Sequence, residues 1–116
     1  MKIEKGSVAR IVGVGASEGI GGAIARRAAA EGLHVYVAGR TQAKLEVVVS
    51  EIEAAGGKAT AIVADTTQTA DVKRMFDTAE QGAGKPDLVV YNAGNNRFSA
   101  LTDMSDEFFE DLWRLC

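Results

Sequence analysis

Gly13-Val14-Gly15-Ala16-Ser17-Glu18-Gly19-Ile20-Gly21-Gly22, with glycine at five of ten positions, separates an apolar run from the helix-like Ala23-Ile24-Ala25. A turn that joins a strand to a helix N-terminus leaves several backbone N–H groups unpaired, with the positive end of the helix dipole behind them. Phosphate suits such a place. Glycines at 15, 19 and 21 permit the tight turn, the approach of a pyrophosphate to bare backbone, and close contact of helix with strand.

Two other chemistries use glycine-rich turns, and the residues argue against both. A nucleoside-triphosphate loop needs Lys and then Ser or Thr after its last glycine; here Gly21 is followed by Gly22 and Ala23. Gly15-Ala16-Ser17-Glu18-Gly19 also matches a serine nucleophile elbow. That chemistry requires a base beside Ser17, and the single histidine, His34, opens the second strand at the far end of a parallel sheet.

Outward from the turn, four units repeat: a β-rich run, a turn and an amphipathic helix. The expected strands are Val8 to Val14, Val35 to Ala38, Ala61 to Ala64 and Leu88 to Tyr91. Leu45, Val48, Val49 and Ile52 recur at helical spacing, as do Val72, Met75, Phe76 and Ala79. Gly32, Gly56-Gly57 and Gly82 are the expected helix stops, and Thr41, Thr69 and Ser105 the expected N-caps. Strands alternating with helices demand crossover connections, so the expected fold is α/β, a doubly wound parallel sheet (Rossmann-like) of four β-α units. No linker or internal repeat divides residues 1–116.

Composition narrows the partners. The 116 residues carry 13 Lys and Arg against 16 Asp and Glu, a net charge of −3. With a pI near 5.1 and no basic run, neither nucleic acid nor an anionic membrane is expected as a partner. No apolar run approaches the roughly 20 residues of a membrane helix, and the lone Cys116 can form neither an intrachain disulfide nor a zinc cluster. A cytoplasmic protein with no metal site is expected.

The end of the second strand lies about 20 residues beyond the glycines, where a dinucleotide site contacts the adenosine ribose. A carboxylate there would select NAD; the chain has Gly39-Arg40 instead, and a guanidinium suits a 2′-phosphate. NADP is therefore the expected cofactor, with NAD possible, and Glu18 in the same turn works against the preference.

The assembled pattern resembles the short-chain dehydrogenase/reductase family over the whole chain. Gly15-x-x-x-Gly19-x-Gly21 is similar to its cofactor turn, Asp65 after the third strand to its adenine-binding acid, and Asn92-Ala93-Gly94 after the fourth to its Asn-Ala-Gly signature. The resemblance implies hydride transfer between NADP(H) and a small-molecule alcohol or carbonyl substrate. Gly15, Ser17, Gly19, Ile20, Gly21, Arg40, Asp65, Asn92, Ala93 and Gly94 would bind the cofactor. The alternative is a nucleotide-binding or interaction module with no reaction of its own.

Three positions depart from the family: Val14 stands for Thr, Tyr91 for Asn, and Cys116 for a helix Asn that supports a proton relay. The family's catalytic Ser and Tyr-x-x-x-Lys are absent from these residues, so no catalytic residue is named. The chain reads as the cofactor-binding, N-terminal half of a longer domain. Its fourth strand is expected at an unpaired sheet edge. Phe108, Phe109, Leu112, Trp113, Leu115 and Cys116 occupy most of the last helix's circumference, which predicts a second apolar contact, with homo-oligomerisation through that helix and association of the isolated chain.

Overall fold

The computed structural model describes residues 3–95 and 97–116. Four strands, β1 (Val8–Val12), β2 (His34–Gly39), β3 (Lys58–Val63) and β4 (Leu88–Tyr91), alternate with helices α1 (Ile20–Ala30), α2 (Gln42–Ala54), α3 (Thr69–Ala83) and α4 (Asp106–Leu115). A single 3-10 turn, Leu101–Asp103, precedes α4. The strands form one parallel sheet in the order β3-β2-β1-β4. The connection from β3 to β4 thus reverses the direction of winding, which opens a crevice at the carboxyl ends of β1 and β4.

The apolar faces predicted from periodicity cover the sheet on both sides. Ala25, Ala28 and Ala29 of α1 and Leu45, Val48 and Ile52 of α2 pack with Ile11, Val35 and Val37 on one face. Met75 and Ala79 of α3 pack with Val8, Val12, Tyr36 and Ile62 on the other. Between Val8 and Val12 the strand buries Arg10, whose Nη2 donates to the Gly84 carbonyl at 3.2 Å and whose guanidinium lies 4.8 Å from the Phe76 ring centroid. Burial lowers its pKa, and Glu80 opposes the shift.

Several boundaries differ from expectation. β1 ends at Val12 rather than Val14, because Gly13 turns to a φ of 94°. β3 begins at Lys58 and ends at Val63, not Ala64; it is an edge strand whose exposed Lys58 and Thr60 alternate with buried Ala59, so its first half lacks a continuous apolar run. β2 gains His34 and Gly39 at its ends. Thr69 is the first residue of α3, and Gln68 is the N-cap. Gly82 lies inside that helix under the Tyr36 hydroxyl, and Gly84, with φ 84°, ends it. Thr41 and Ser105 occupy N-cap positions as expected, but only the Ser105 side chain accepts a hydrogen bond, from Phe108 N at 3.1 Å.

β4 lies at the sheet edge, paired with β1 alone. Helix α4 buries no residue; Phe109 and Trp113 stack at 6.3 Å on its exposed side. Among the described residues no helix is long and apolar enough to cross a membrane.

Candidate functional site

The glycine-rich turn is shaped from both sides by backbone. Gly13 N and Val14 N both donate to the Ala38 carbonyl at 2.9 Å, tying the end of β1 to the end of β2. From β4, Asn92 N donates to Val12 O at 2.7 Å and Asn92 Nδ2 to Gly13 O at 3.1 Å. This amide braces the turn where Val14, in place of the family's Thr, has no hydroxyl to do so. A side chain at Gly13 would overlap the Ala93 backbone, and a Cβ at Gly21 would come 2.7 Å from Gly13 O and 3.1 Å from Val14 Cα. The head of α1 therefore sits directly against the strand end, as the sequence predicts for Gly21.

Gly19 N donates to Ala16 O at 2.9 Å and closes the turn. As N-cap of α1, Gly19 has no side chain to offer, and the first turn of the helix holds no acid. Among the described residues its leading N–H groups have no side-chain cap, which leaves them open to an acceptor. At Gly15 a Cβ would meet nothing within 4 Å, so this glycine is surrounded by open space rather than by protein.

In front of the turn lies a hollow of about 550 Å³, within the range of small-molecule and cofactor sites. Gly15, Gly19, Ile20, Gly21, Arg40, Asn92, Ala93 and Gly94 all line it. Ile20 is an apolar side chain 71 % exposed at its lip. Among the described residues the only side chains of Lys, Arg, Asp or Glu lining it are those of Arg40 and Lys44; Glu18 is not there. Sequence reasoning missed Lys44, the third residue of α2, whose only signal was its place in the first turn of that helix, close after Arg40.

A second hollow of about 350 Å³ shares Arg40, Asn95 and Leu115 with the first and adds Asp65, Thr67, Arg97, Asp111 and Leu112. Asp65 Oδ1 accepts from Thr67 Oγ1 at 2.7 Å and Thr67 N at 2.9 Å. The Thr67 hydroxyl and then its backbone N–H hold this carboxyl below the usual range, and Arg40 adds to the effect. Asp65 is therefore an ionised acceptor at neutral pH.

Ser17 alone of the ten expected residues lines neither hollow. Its hydroxyl donates to Glu51 Oε2 and accepts from Arg26 Nη1. His34 lies at the opposite end of the sheet, in register with Val8 and Lys58, with Nε2 3.0 Å from Thr60 Oγ1. Among the described residues no histidine stands beside Ser17, as a serine nucleophile elbow would require. Neither tyrosine lines the hollows: Tyr36 is buried, and Tyr91 donates to Leu115 O at 3.2 Å. Cys116 does line the first hollow, its Sγ 4.0 Å from Asn95 O. No group of three or more metal-ligating side chains occurs among the described residues. The arrangement has the shape and the cationic lining to hold an elongated anionic ligand.

A family model described as short chain dehydrogenase matches residues 9–115. The chain is 37 % identical over 110 residues to an oxidoreductase of Methylorubrum extorquens, covering 94 % of this chain and 44 % of that protein. It is also 37 % identical over 103 residues to a sepiapterin reductase of Chlorobaculum tepidum, covering 83 % and 42 %. Among solved structures it resembles a dehydrogenase/reductase from Sinorhizobium meliloti, with TM-score 0.89 and 33 % identity, covering 96 % of this chain and 44 % of that one. It likewise resembles an actinorhodin polyketide ketoreductase variant solved with NADPH, with TM-score 0.89 and 28 % identity, covering 97 % and 43 %. The chain thus spans less than half the length of these relatives.

Proposed function

The chain belongs to the short-chain dehydrogenase family, and on that premise we propose that it is the cofactor-binding half of an oxidoreductase that prefers NADP(H) and acts on a small alcohol or carbonyl compound. One observation carries the cofactor preference. The hollow at the uncapped head of α1 is lined by two cationic side chains, Arg40 and Lys44, and by no Asp or Glu side chain among the described residues.

The residues present fit such a cofactor. The open space at Gly15 and the free N–H groups after Gly19 suit the diphosphate, and Arg40 with Lys44 suits a 2′-phosphate, with the guanidinium fork giving two parallel donors. Asp65, kept ionised by Thr67, is an acceptor for the adenine amino group. Asn92, Ala93 and Gly94 supply backbone that a nucleoside can lie against, and Ile20 supplies an apolar wall. The bound nicotinamide supplies the hydride chemistry; these residues supply grip, direction and partial exclusion of water. Self-association through α4, where Phe109 and Trp113 are exposed, completes the proposal.

Fluorescence titration of the whole gene product tests it. NADPH should bind more tightly than NADH, and Arg40→Ala should weaken NADPH about tenfold or more, the loss of a charge-assisted hydrogen bond, while NADH binding holds. Equal losses for both cofactors would remove Arg40 from the 2′-phosphate. Failure of the parent protein to bind either would remove the function.

A further inference from the structure

Reading the turn as a diphosphate cradle, we propose that Glu51 of α2 and Arg26 of α1 are positioning residues for cofactor binding, acting through Ser17. Three contacts converge on that serine in the middle of the turn. Its hydroxyl donates to Glu51 Oε2, across 34 residues of sequence. Arg26 Nη1 donates to both the Ser17 carbonyl and the Ser17 hydroxyl at 2.7 Å, and lies 3.2 Å from Glu51 Oε2. On the helix side, a Cβ at Gly22 would overlap the Ser17 carbonyl, so the turn lies flat on α1.

An exposed ion pair by itself contributes little, and Arg26 and Glu51 keep 38 % and 45 % of their side chains exposed. What these two do is different: they grip a main-chain peptide. Because that peptide is planar and trans, holding the Ser17 carbonyl toward Arg26 also sets the direction of the Glu18 N–H that follows it. A turn whose amides are already oriented loses less freedom when an anion arrives, so its affinity rises without any direct contact from Glu51. The hydroxyl that sequence reasoning assigns to the cofactor is spent in this lock, which leaves recognition of the diphosphate to backbone N–H groups. Arg26 also offsets the charge that Glu51 brings near an anion site.

The test is a titration of NADPH and NADH against the whole gene product and its Glu51→Ala, Ser17→Ala and doubly substituted forms, with amide order parameters for residues 15–19. Glu51→Ala should raise both Kd values by one common factor of about three- to tenfold, lower the order parameters of the turn, and leave the denaturation midpoint in place. The double variant should be no weaker than the weaker single variant, since both changes open the same lock. Glu51→Gln, which still accepts from the serine hydroxyl, should recover most of the affinity. Unchanged Kd values in Glu51→Ala alongside a selective NADPH loss in Arg40→Ala would overturn the lock and leave the cofactor reading standing. Multiplying effects of Ser17→Ala and Glu51→Ala would overturn it as well.

Discussion

The carboxyl end of β1 and the side of the molecule formed by β4 and α4 are built on opposite principles. At the first, main chain meets main chain: Gly13 and Gly21 leave no space for a side chain, and Asn92, Ala38 and Arg26 pin the turn by hydrogen bonds. At the second, large side chains stand uncovered. Phe98, Leu101 and Trp113 are 95 %, 86 % and 73 % exposed, and β4 shows an open edge. Order in the first region comes from contacts within the chain, whereas the second presents apolar area that residues 3–95 and 97–116 do not themselves cover. The turn can therefore be fully formed in a chain whose apolar side remains exposed.

The sharpest way to break this contrast is Gly21→Val. Overpacking against Gly13 O should destabilise the fold by about 1–3 kcal/mol and abolish NADPH binding, read by denaturant midpoint and by titration. An unchanged midpoint would show that the turn has slack. Gly15→Val sharpens the same point from the other side. A Cβ there meets no protein atom within 4 Å, so stability should stay within about 0.5 kcal/mol while the cofactor Kd rises tenfold or more, because the added methyl groups enter ligand space.

On the apolar side, replacing Phe109 and Trp113 together by Gln should leave the denaturation midpoint within the same narrow range and lower the weight-average mass in sedimentation. A large loss of stability would mean that these rings support the fold of the single chain. The smallest effect concerns His34, far from both regions. Desolvation, then Lys58, lowers its pKa below 6.5. The unfolded chain then binds the proton more readily, so stability rises with pH across the interval between the two pKa values and is lost as pH falls below the unfolded value of 6.5. His34→Gln should flatten that part of a plot of melting temperature against pH.

Legibility followed the range of the interaction. Strand and helix identities were readable from periodicity, and the parallel winding from their alternation. Gly32 and Gly56 were readable as stops, and both do take positive φ after their helices. Gly82 misled because a glycine can serve close packing as well as termination: its lack of a side chain accommodates Tyr36, a neighbour from another element. Thr69 misled for a related reason, since Asp71 Oδ2 and Asp65 Oδ1 already bind the backbone N–H groups of Asp65 and Thr67 before α3 begins. In the site, the glycines, Arg40 and Asn92 carried their own signals, while Lys44 carried only its spacing.

From sequence alone came the elements, the winding and the glycine-rich turn between β1 and α1, because these depend on period, on backbone freedom and on contacts a few residues apart. Tertiary structure decided that Asn92 braces Gly13 across 79 residues, that Glu51 takes the Ser17 hydroxyl, and that Arg40 and Lys44 share a hollow from which Glu18 is absent. Those outcomes depend on which elements the sheet brings side by side and on the direction each side chain takes there, and no local pattern encodes either.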